Sequence, residues 1–379
     1  MKRTTTTWAA YLVLGLFAYL ETVIGPSMPF LREKLDLDFT MASVHFSMFA
    51  AGAITCGIWG DRVLRRTGRR IGLWGGMAGM TGGAVLFAVS PGVGGTLPGI
   101  FVMGSVGTLA LISNQAILSD LHPAQRTVAL AESNVAASSA AIMAPLAVGG
   151  FARFGPGWQT AILLAIPALA LLTWRFWRAP IPAAPERVES RGHTGRLPRV
   201  FWLLFVVLFL TMSVEWCIAY WGADFLNEEV GLDRDLAATA MSVFFGAMIA
   251  GRILGSRLAR KRTNSRLLLG CIVVALIGFP FFWLGQTSWI SLAGLFVAGI
   301  GIANFYPLTV AAATSTLPDA VERAASRLAI SGGGALLLTP LAVGAISDAV
   351  GMRWGLGLVM PLLIGALALV AVVVRMPRS

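Results

Sequence analysis

Charged residues are scarce in this sequence of 379 residues. Asp, Glu, Lys and Arg make up 12% of the chain, against roughly 25% in ordinary soluble domains. Apolar residues make up 56%, and no charge falls between Ile71 and Ile117. Runs of about 18 or more apolar residues are long enough to cross a bilayer as helices. The composition therefore excludes a soluble protein and predicts an all-α membrane protein.

Cysteine is also scarce. The three cysteines, Cys56, Cys217 and Cys271, lie in apolar stretches without metal-binding spacing, which is typical of small packing residues. A Walker A sequence is missing, which argues against ATP as the energy source. The glycine run Gly75–Gly83 is instead typical of close helix packing. We therefore predict no metal, no cofactor and no enzyme activity.

Clusters of charged, Gly and Pro residues divide the chain into twelve apolar spans. The first run, Trp8–Phe30, is too long for a cleavable signal peptide. The one long polar stretch, 179–199, predicts a cytoplasmic linker between six-helix bundles at 1–178 and 200–379. The predicted spans are 8–30, 40–60, 71–89, 96–119, 126–150, 157–178, 200–226, 236–258, 264–285, 288–315, 322–347 and 352–375.

The net charge of +11 has an explanation other than nucleic acid. If the N-terminus is cytoplasmic, only five of the 29 Lys and Arg residues face the other side of the membrane. This distribution follows the positive-inside rule and predicts that both termini are cytoplasmic. The five outer residues are Arg32, Lys34, Arg153, Arg234 and Arg353.

The two halves of the chain repeat one another. The phrase PLAVG at Pro145–Gly149 returns 195 residues later, at Pro340–Gly344. Further landmarks recur at nearly the same offset: Glu21 with Glu215, Gly57 with Gly251, and Trp158 with Trp354. Because six spans is an even number, both halves have the same orientation in the membrane, which is the parallel-repeat plan of one transporter class. We interpret Pro145, Gly149, Pro340 and Gly344 as a hinge, where proline bends the helix and glycine allows tight packing.

The loop between spans two and three, GIWGDRVLRRTGRR at Gly57–Arg70, carries a family signature. It resembles the Gly-x-x-x-Asp-Arg-x-Gly-Arg-Arg motif of the major facilitator superfamily, with two extra residues before the second glycine. The matching residues are Asp61, Arg62, Gly68, Arg69 and Arg70, and a degenerate second copy lies at Gly251–Arg262. The resemblance implies two pseudo-symmetric six-helix bundles that transport by rocker-switch alternating access.

Three segments further resemble the fucose-permease-like branch of bacterial permeases. They are SVEWCIAYWGADFL in span seven, GAMIAGRILGSRL in span eight, and ANFYPLTVAAATSTLPDAVERAAS in span ten with its following loop. This branch resemblance favours uptake of a sugar-like solute. It does not identify the substrate.

Two acidic residues, Glu21 and Glu215, lie near the centres of their spans. An ionised side chain there costs roughly 2.5–3.5 kcal/mol, so such residues are candidates for function. Small residues four positions later, Gly25 and Ala219, place both glutamates on an inward face. We expect at least one to bind a proton during transport. The alternative is a hydrogen-bonding residue that holds the halves in register.

No Lys or Arg lies near a span centre, which predicts a neutral or cationic substrate because oxyanions need a cationic partner. Amide and aromatic side chains are the candidate substrate contacts, and for each of them helix packing is the alternative. They suit sugar-like hydroxyls and flat cationic drugs equally. Pro307 predicts a helix break. His45 is interpreted as an inert interfacial residue, and the alternative is a gate or pH sensor. The candidate contacts are Asn114, Gln115, Trp216, Tyr220, Asn304 and Tyr306.

The family fold implies two cytoplasmic latches, because it brings span five opposite span eight and span two opposite span eleven. The pairs would be Glu132 with Arg252 and Asp61 with Arg327, and Arg62 and Arg69 belong to the same gate. Ion pairs that form in one state and break in the other would bias alternating access. The alternative for either arginine is a side chain that reaches toward the lipid headgroups.

Together these features predict a monomeric, proton-coupled transporter of a small molecule in a bacterial inner membrane. One alternative is a proton/drug antiporter, since Ala144–Gly150 resembles the Gly-Pro-x-x-Gly-Gly motif of such proteins. The duplication of that phrase in span eleven weakens the alternative and favours a structural role. A membrane sensor on a carrier fold is a further alternative.

Overall fold

The computed structural model describes residues 2–182, 197–259, 263–317 and 321–376. No strand occurs among them, so the predicted all-α class is confirmed. The predicted linker 179–199 lies largely outside the described residues. The helices are α1 (Thr5–Thr22), α2 (Ile24–Leu35), α3 (Phe39–Val89), α4 (Val93–Leu121), α5 (Arg126–Phe154), α6 (Gln159–Leu163), α7 (Ala165–Phe176), α8 (Arg199–Glu228), α9 (Arg234–Leu258), α10 (Asn264–Leu284), α11 (Ser288–Ile302), α12 (Phe305–Thr314), α13 (Val321–Val350), α14 (Met352–Gly357) and α15 (Val359–Arg375), with a 3₁₀ turn at Pro123–Gln125.

In the described part of the chain, 11 helical stretches are long and apolar enough to cross a membrane. One of them, α3, has 51 residues and is broken at Gly68, where φ is 80° and ψ is 165°. This backbone conformation is essentially restricted to glycine. The signature glycine thus separates two spans within α3, and the twelve predicted spans are all present.

Prolines interrupt four of these spans. Each break comes three residues before a proline, because proline lacks an N–H and its ring crowds the carbonyl four residues earlier. The predicted break before Pro307 is confirmed. The interrupted positions and their prolines are Val23 with Pro26, Leu164 with Pro167, Asn304 with Pro307, and Leu358 with Pro361.

The predicted hinge prolines behave differently. Helix α5 runs without interruption through Pro145, and α13 does so through Pro340. Both prolines are buried. The bend predicted at these two positions therefore stays a prediction, while the visible interruptions lie at other prolines.

Contacts divide the chain into two units. Unit 1 comprises Met1–Arg187 with Arg234–Ser242, and unit 2 comprises Val188–Asp233 with Val243–Ser379. Within unit 1, the start of α9 packs closely on α5. A Cβ added at Gly149 would overlap the Asp235 carbonyl and the Thr239 side chain, so this position of the PLAVG phrase tolerates only glycine. The predicted domain limits at 178 and 200 stay a prediction.

The duplication extends to helix packing inside each unit. In unit 1, Gly83 packs on the backbone of Gly99, and Gly104 packs on that of Phe49. In unit 2 the same two contacts recur 195 residues later, at Gly278 with Gly294 and at Gly299 with Phe244. Small residues let helix backbones approach closely in membranes. The same close contacts between glycines and helix backbones therefore occur in both halves.

Candidate functional site

Helix α8 carries the candidate site of unit 2. It runs unbroken from Arg199 to Glu228, because no proline and only one glycine interrupts its apolar sequence. Glu215 is half-buried, and the charge of Arg252 on α9 acts on its carboxyl group. One residue further, Trp216 stacks on Tyr220, with ring centroids 5.2 Å apart and an interplanar angle of 25°. A carboxyl group, a guanidinium and an aromatic platform are thus grouped in one part of unit 2.

The rotation of α8 is fixed by polar contacts with α13. The Ser331 hydroxyl donates to the Phe205 carbonyl at 2.8 Å, and the hydroxyls of Ser213 and Thr339 lie 2.7 Å apart. Trp221 Nε1 donates to the carbonyl of Pro340 at 3.0 Å. The last two contacts are buried, where hydrogen bonds are strongest. They determine which side of α8 presents Glu215.

Asp224 is a buried acid that the sequence reasoning missed. Its exposed fraction is 0%, although it lies only four residues before the end of α8. The signal that could have found it is the four-residue spacing of Trp216, Tyr220 and Asp224, which places all three on one face of the helix. The candidate site of unit 2 therefore continues from Trp216 toward the end of α8.

The end of α8 is fastened to its neighbours beside Asp224. The backbone N–H and Nε of Arg353 donate to the two carboxylate oxygens of Glu229, each at 3.0 Å. Arg353 Nη1 also donates to the Trp283 carbonyl at 3.1 Å, and Trp283 Nε1 donates to the Arg353 carbonyl at 2.7 Å. This reciprocal arrangement joins α8, α10 and α14.

Two candidate contacts lie near the break in span ten. Asn304 is 8% exposed, and its Nδ2 donates to the Gly251 carbonyl at 2.7 Å. A Cβ on Gly255 would overlap the same amide. These contacts account for Asn304 as a helix-packing residue, the alternative left open by the sequence. Tyr306 is 53% exposed.

In unit 1, Glu132 has partners that the sequence reasoning did not identify. Arg3 Nε and Nη2 donate to its two carboxylate oxygens, each at 2.9 Å, and the Tyr11 hydroxyl donates at 2.9 Å. These hydrogen bonds and the negative charge of Glu132 raise the pKa of Arg3. The predicted pairs Glu132 with Arg252 and Asp61 with Arg327 would each join one unit to the other, and both stay predictions.

The signature loop contacts helix ends within unit 1. Arg69 Nη1 donates to Asp120 at 2.6 Å, and Arg70 Nη2 donates to the Ala179 carbonyl at 2.8 Å. Arg70 also bonds the Trp177 carbonyl. The carbonyls at the end of a helix carry partial negative charge, which favours arginine there. The turn at Gly68 therefore places Arg69 at the end of α4 and Arg70 at the end of α7.

Arg62 and Asp61, which precede that turn, are exposed. Asp61 lies 3.8 Å from Arg65 one helical turn later. Arg252 and Arg327 are also exposed. Their predicted role in the gate stays a prediction.

The remaining candidates of unit 1 differ in burial. Glu21 is half-buried at the next-to-last residue of α1, beside the break before Pro26. Gln115 is exposed, whereas Asn114 is only 1% exposed. Neither polar atom of the Asn114 side chain has a hydrogen-bond partner among the described residues. Asn114 is thus the candidate whose amide the surrounding helices leave unsatisfied.

His45 is fully buried. Its Nδ1 donates to the Met41 carbonyl at 3.0 Å, and its Nε2 lies 2.8 Å from the Thr96 hydroxyl. Because the carbonyl can only accept, Nδ1 carries a proton, and in the neutral ring Nε2 accepts from Thr96. The bond to Met41 lies within α3, and the bond to Thr96 joins α3 to α4.

Residues 10–295 match the family model described as Major Facilitator Superfamily. Similar curated proteins include an uncharacterized MFS-type transporter of Yersinia pestis, 26% identical over 50% of this chain and 50% of its own length. The membrane protein MosC of Rhizobium meliloti is 26% identical over 57% of this chain and 53% of its own. An uncharacterized transporter of Sinorhizobium fredii is 29% identical over 35% of each chain. The chain thus spans about a third to a half of the curated relatives it matches.

Solved structures match over nearly the whole chain. A bacterial homolog of the human lysosomal transporter Spinster has a TM-score of 0.79 at 14% identity, covering 98% of this chain and 97% of its own. A D-xylose-proton symporter has a TM-score of 0.73 at 15% identity, covering 96% of each chain. At this level of identity the likeness establishes the fold alone.

Proposed function

Since the chain belongs to the Major Facilitator Superfamily, we propose that it is a proton-coupled secondary transporter that takes up a small neutral or cationic, sugar-like solute. The observation that carries the proposal is the grouping of Glu215, Arg252 and the stacked Trp216–Tyr220 pair in unit 2. Such a grouping offers one site for a proton beside one surface for a solute.

The proton-coupling step follows from the surroundings of Glu215. An ionised carboxylate inside a membrane protein is costly unless a cation compensates it. The charge of Arg252 acts on the Glu215 carboxyl group and offsets part of that cost. A movement that separates the two side chains would favour the protonated glutamate, and this links proton binding to the change of state. Glu21, its counterpart in unit 1, would serve the same purpose.

The solute class follows from the aromatic platform. The flat, partly apolar surface of stacked Trp216 and Tyr220 suits the apolar face of a sugar ring. The positive charge of Arg252 is offset by Glu215, so the site as a whole does not select an anion. The same platform beside a carboxylate also suits a flat organic cation, which keeps the proton/drug antiporter as a second candidate.

The setting of the transporter is part of the proposal. We place it as a monomer in a bacterial inner membrane with both termini in the cytoplasm, as the arginine distribution indicates. Alternating access would proceed between the two halves. The pairs Asp61 with Arg327 and Glu132 with Arg252 would close the cytoplasmic side, supported by Arg62 and Arg69.

The test starts from purified protein in a thermal-shift screen with sugars, organic cations and organic anions at two pH values, because a ligand of the folded state raises its stability. The stabilising compound is then used for uptake into liposomes with and without a pH gradient. We expect Glu215→Gln to lose gradient-driven accumulation while retaining exchange of solute across the membrane. Glu228→Gln, an exposed acid on the same helix, is the matched control.

Full gradient-driven uptake in the Glu21→Gln, Glu215→Gln double variant would contradict the proposal that these glutamates couple transport to protons. Tight binding of an organic anion would contradict the solute class. Export of a cation against the pH gradient would select the antiporter.

A further inference from the structure

The side-chain amide of Asn114 is buried and unsatisfied. Its exposed fraction is 1%, and neither Nδ2 nor Oδ1 has a hydrogen-bond partner among the described residues. An amide offers two donors and two acceptor lone pairs. Nearly all buried polar groups in folded proteins are hydrogen-bonded, and leaving one unsatisfied is unfavourable. The missing bonds therefore call for a partner from outside the described residues.

The position of Asn114 on α4 shows which surface it faces. Gly107, Asn114 and Leu118 share one face of the helix, because they are spaced by seven and four residues. Gly107 lies against Met80 of α3 and Phe17 of α1, and Leu118 packs with Tyr11 of α1. Asn114 lies between these contacts and so faces the stretch of α1 between Tyr11 and Phe17.

That stretch of α1 offers no hydrogen-bonding side chain, since residues 12–17 read Leu, Val, Leu, Gly, Leu and Phe. The polar side chains that adjoin this stretch and Asn114 in the sequence already have partners. The Tyr11 hydroxyl donates to Glu132 at 2.9 Å, and the hydroxyl of Ser113, next to Asn114, donates to Leu109 of its own helix at 2.8 Å. In this structure the Asn114 amide makes no hydrogen bond to a described residue of α1.

Asn304 in unit 2 provides the contrast. It is also buried, and its Nδ2 donates to the Gly251 carbonyl at 2.7 Å. A buried amide that holds helices together therefore has a visible bond in this molecule. Asn114 lacks one, so a packing role does not account for it.

We propose that Asn114 is a substrate-binding residue. Hydroxyl groups of a neutral polyhydroxylated solute, bound between α1 and α4, form the hydrogen bonds that its side-chain amide lacks. A hydroxyl both donates and accepts, so two neighbouring hydroxyls of a sugar satisfy Oδ1 and Nδ2 together. A cation would satisfy only Oδ1, and an anion only Nδ2. The inference rests on the proposed transport function for its solute, but the amide can be tested without transport.

The first test compares Asn114→Leu with Asn304→Leu in thermal unfolding of the purified full chain without ligand. Replacing an unsatisfied buried amide by an apolar side chain of similar size is stabilising, so we expect Asn114→Leu to raise the Tm by about 2 °C or more. Asn304→Leu removes a bond that is made and should lower the Tm. A decrease in both variants would overturn the inference, because Asn114 would then be a structural amide completed by bound water.

The second test repeats the measurement with pentoses, hexoses and alditols as probes. We expect at least one probe to raise the Tm of the unaltered protein, and neither Asn114→Leu nor the smaller Asn114→Ala to respond. Gln115→Leu, the exposed neighbour on the same helix, should keep the response. A response retained in both Asn114 variants, or a protein stabilised by organic cations and by no polyol, would refute the inference. Neither outcome bears on proton coupling, which the Glu215 variants test separately.

Discussion

The guanidinium of Arg3 and the carboxylate of Glu132 meet through two hydrogen bonds of 2.9 Å across 129 positions of sequence. The Tyr11 hydroxyl adds a third bond to the same carboxylate. Beside them, the hydroxyl of Thr7 lies 2.9 Å from His122 Nε2, and the hydroxyl of Thr6 donates to the Pro180 carbonyl at 2.9 Å. The first turn of α1 is thus attached to three other segments of unit 1.

Loss of Arg3 should loosen this attachment. We expect Arg3→Ala to lower the Tm modestly, because the pair is partly exposed and exposed ion pairs contribute little. The difference between the variant and the unaltered protein should shrink at high salt, which screens exposed charges. Lys2→Ala, which removes the neighbouring charge, is the control. An equal loss of stability in Lys2→Ala would show that Arg3 acts through its positive charge and not through its hydrogen bonds to Glu132.

The turn at Gly68 predicts a backbone effect. A side chain at φ 80° and ψ 165° is strained, at a cost of roughly 1–3 kcal/mol. Gly68→Ala should therefore lower the Tm and weaken the contacts of Arg69 and Arg70. Gly82→Ala serves as the control, since Gly82 is helical with no atom near the position of a Cβ. A Gly68→Ala variant as stable as the control would mean that the turn relaxes without cost.

The repeated packing predicts matched effects in the two halves. Gly104→Ala would press on the backbone of Phe49, and Gly299→Ala would press on that of Phe244. Overpacking of this kind costs roughly 1–3 kcal/mol, so both variants should lower the Tm, with the larger loss in Gly104→Ala, where the overlap is closer. Gly246→Ala, which has open space around its Cβ position, should not. A large effect in one half alone would show that the two contacts are not equivalent.

The sequence could predict the fold because the relevant signals are local or repeated. Apolar runs identify the spans, and the offset near 195 identifies the duplication, which reappears in the glycine contacts. The special turn at Gly68 is likewise encoded by one residue type. These features do not depend on how neighbouring helices are rotated.

The partners of the polar residues could not be predicted in the same way. Whether Glu132 meets Arg3, or Asn304 meets Gly251, depends on helix rotation and on the register between helices distant in sequence. Spacing alone does not determine either quantity. The same reason explains why Asn114 and Asn304 looked alike in the sequence, although only Asn304 has a bonded amide.

The interaction of Glu215 with Arg252 predicts coupled mutations. The charge of Arg252 acts on the Glu215 carboxyl within unit 2, so removing Arg252 takes away a favourable interaction of the ionised glutamate. We expect Glu215→Gln and Arg252→Gln to be non-additive in the free energy of unfolding, with an interaction energy of at least about 0.5 kcal/mol. The measurement is a double-mutant cycle on the purified protein. Glu228→Gln combined with Arg252→Gln is the matched cycle and should be additive. Additive effects in the Glu215 cycle would show that the two side chains act independently, and would leave Arg252 available for the latch with Glu132.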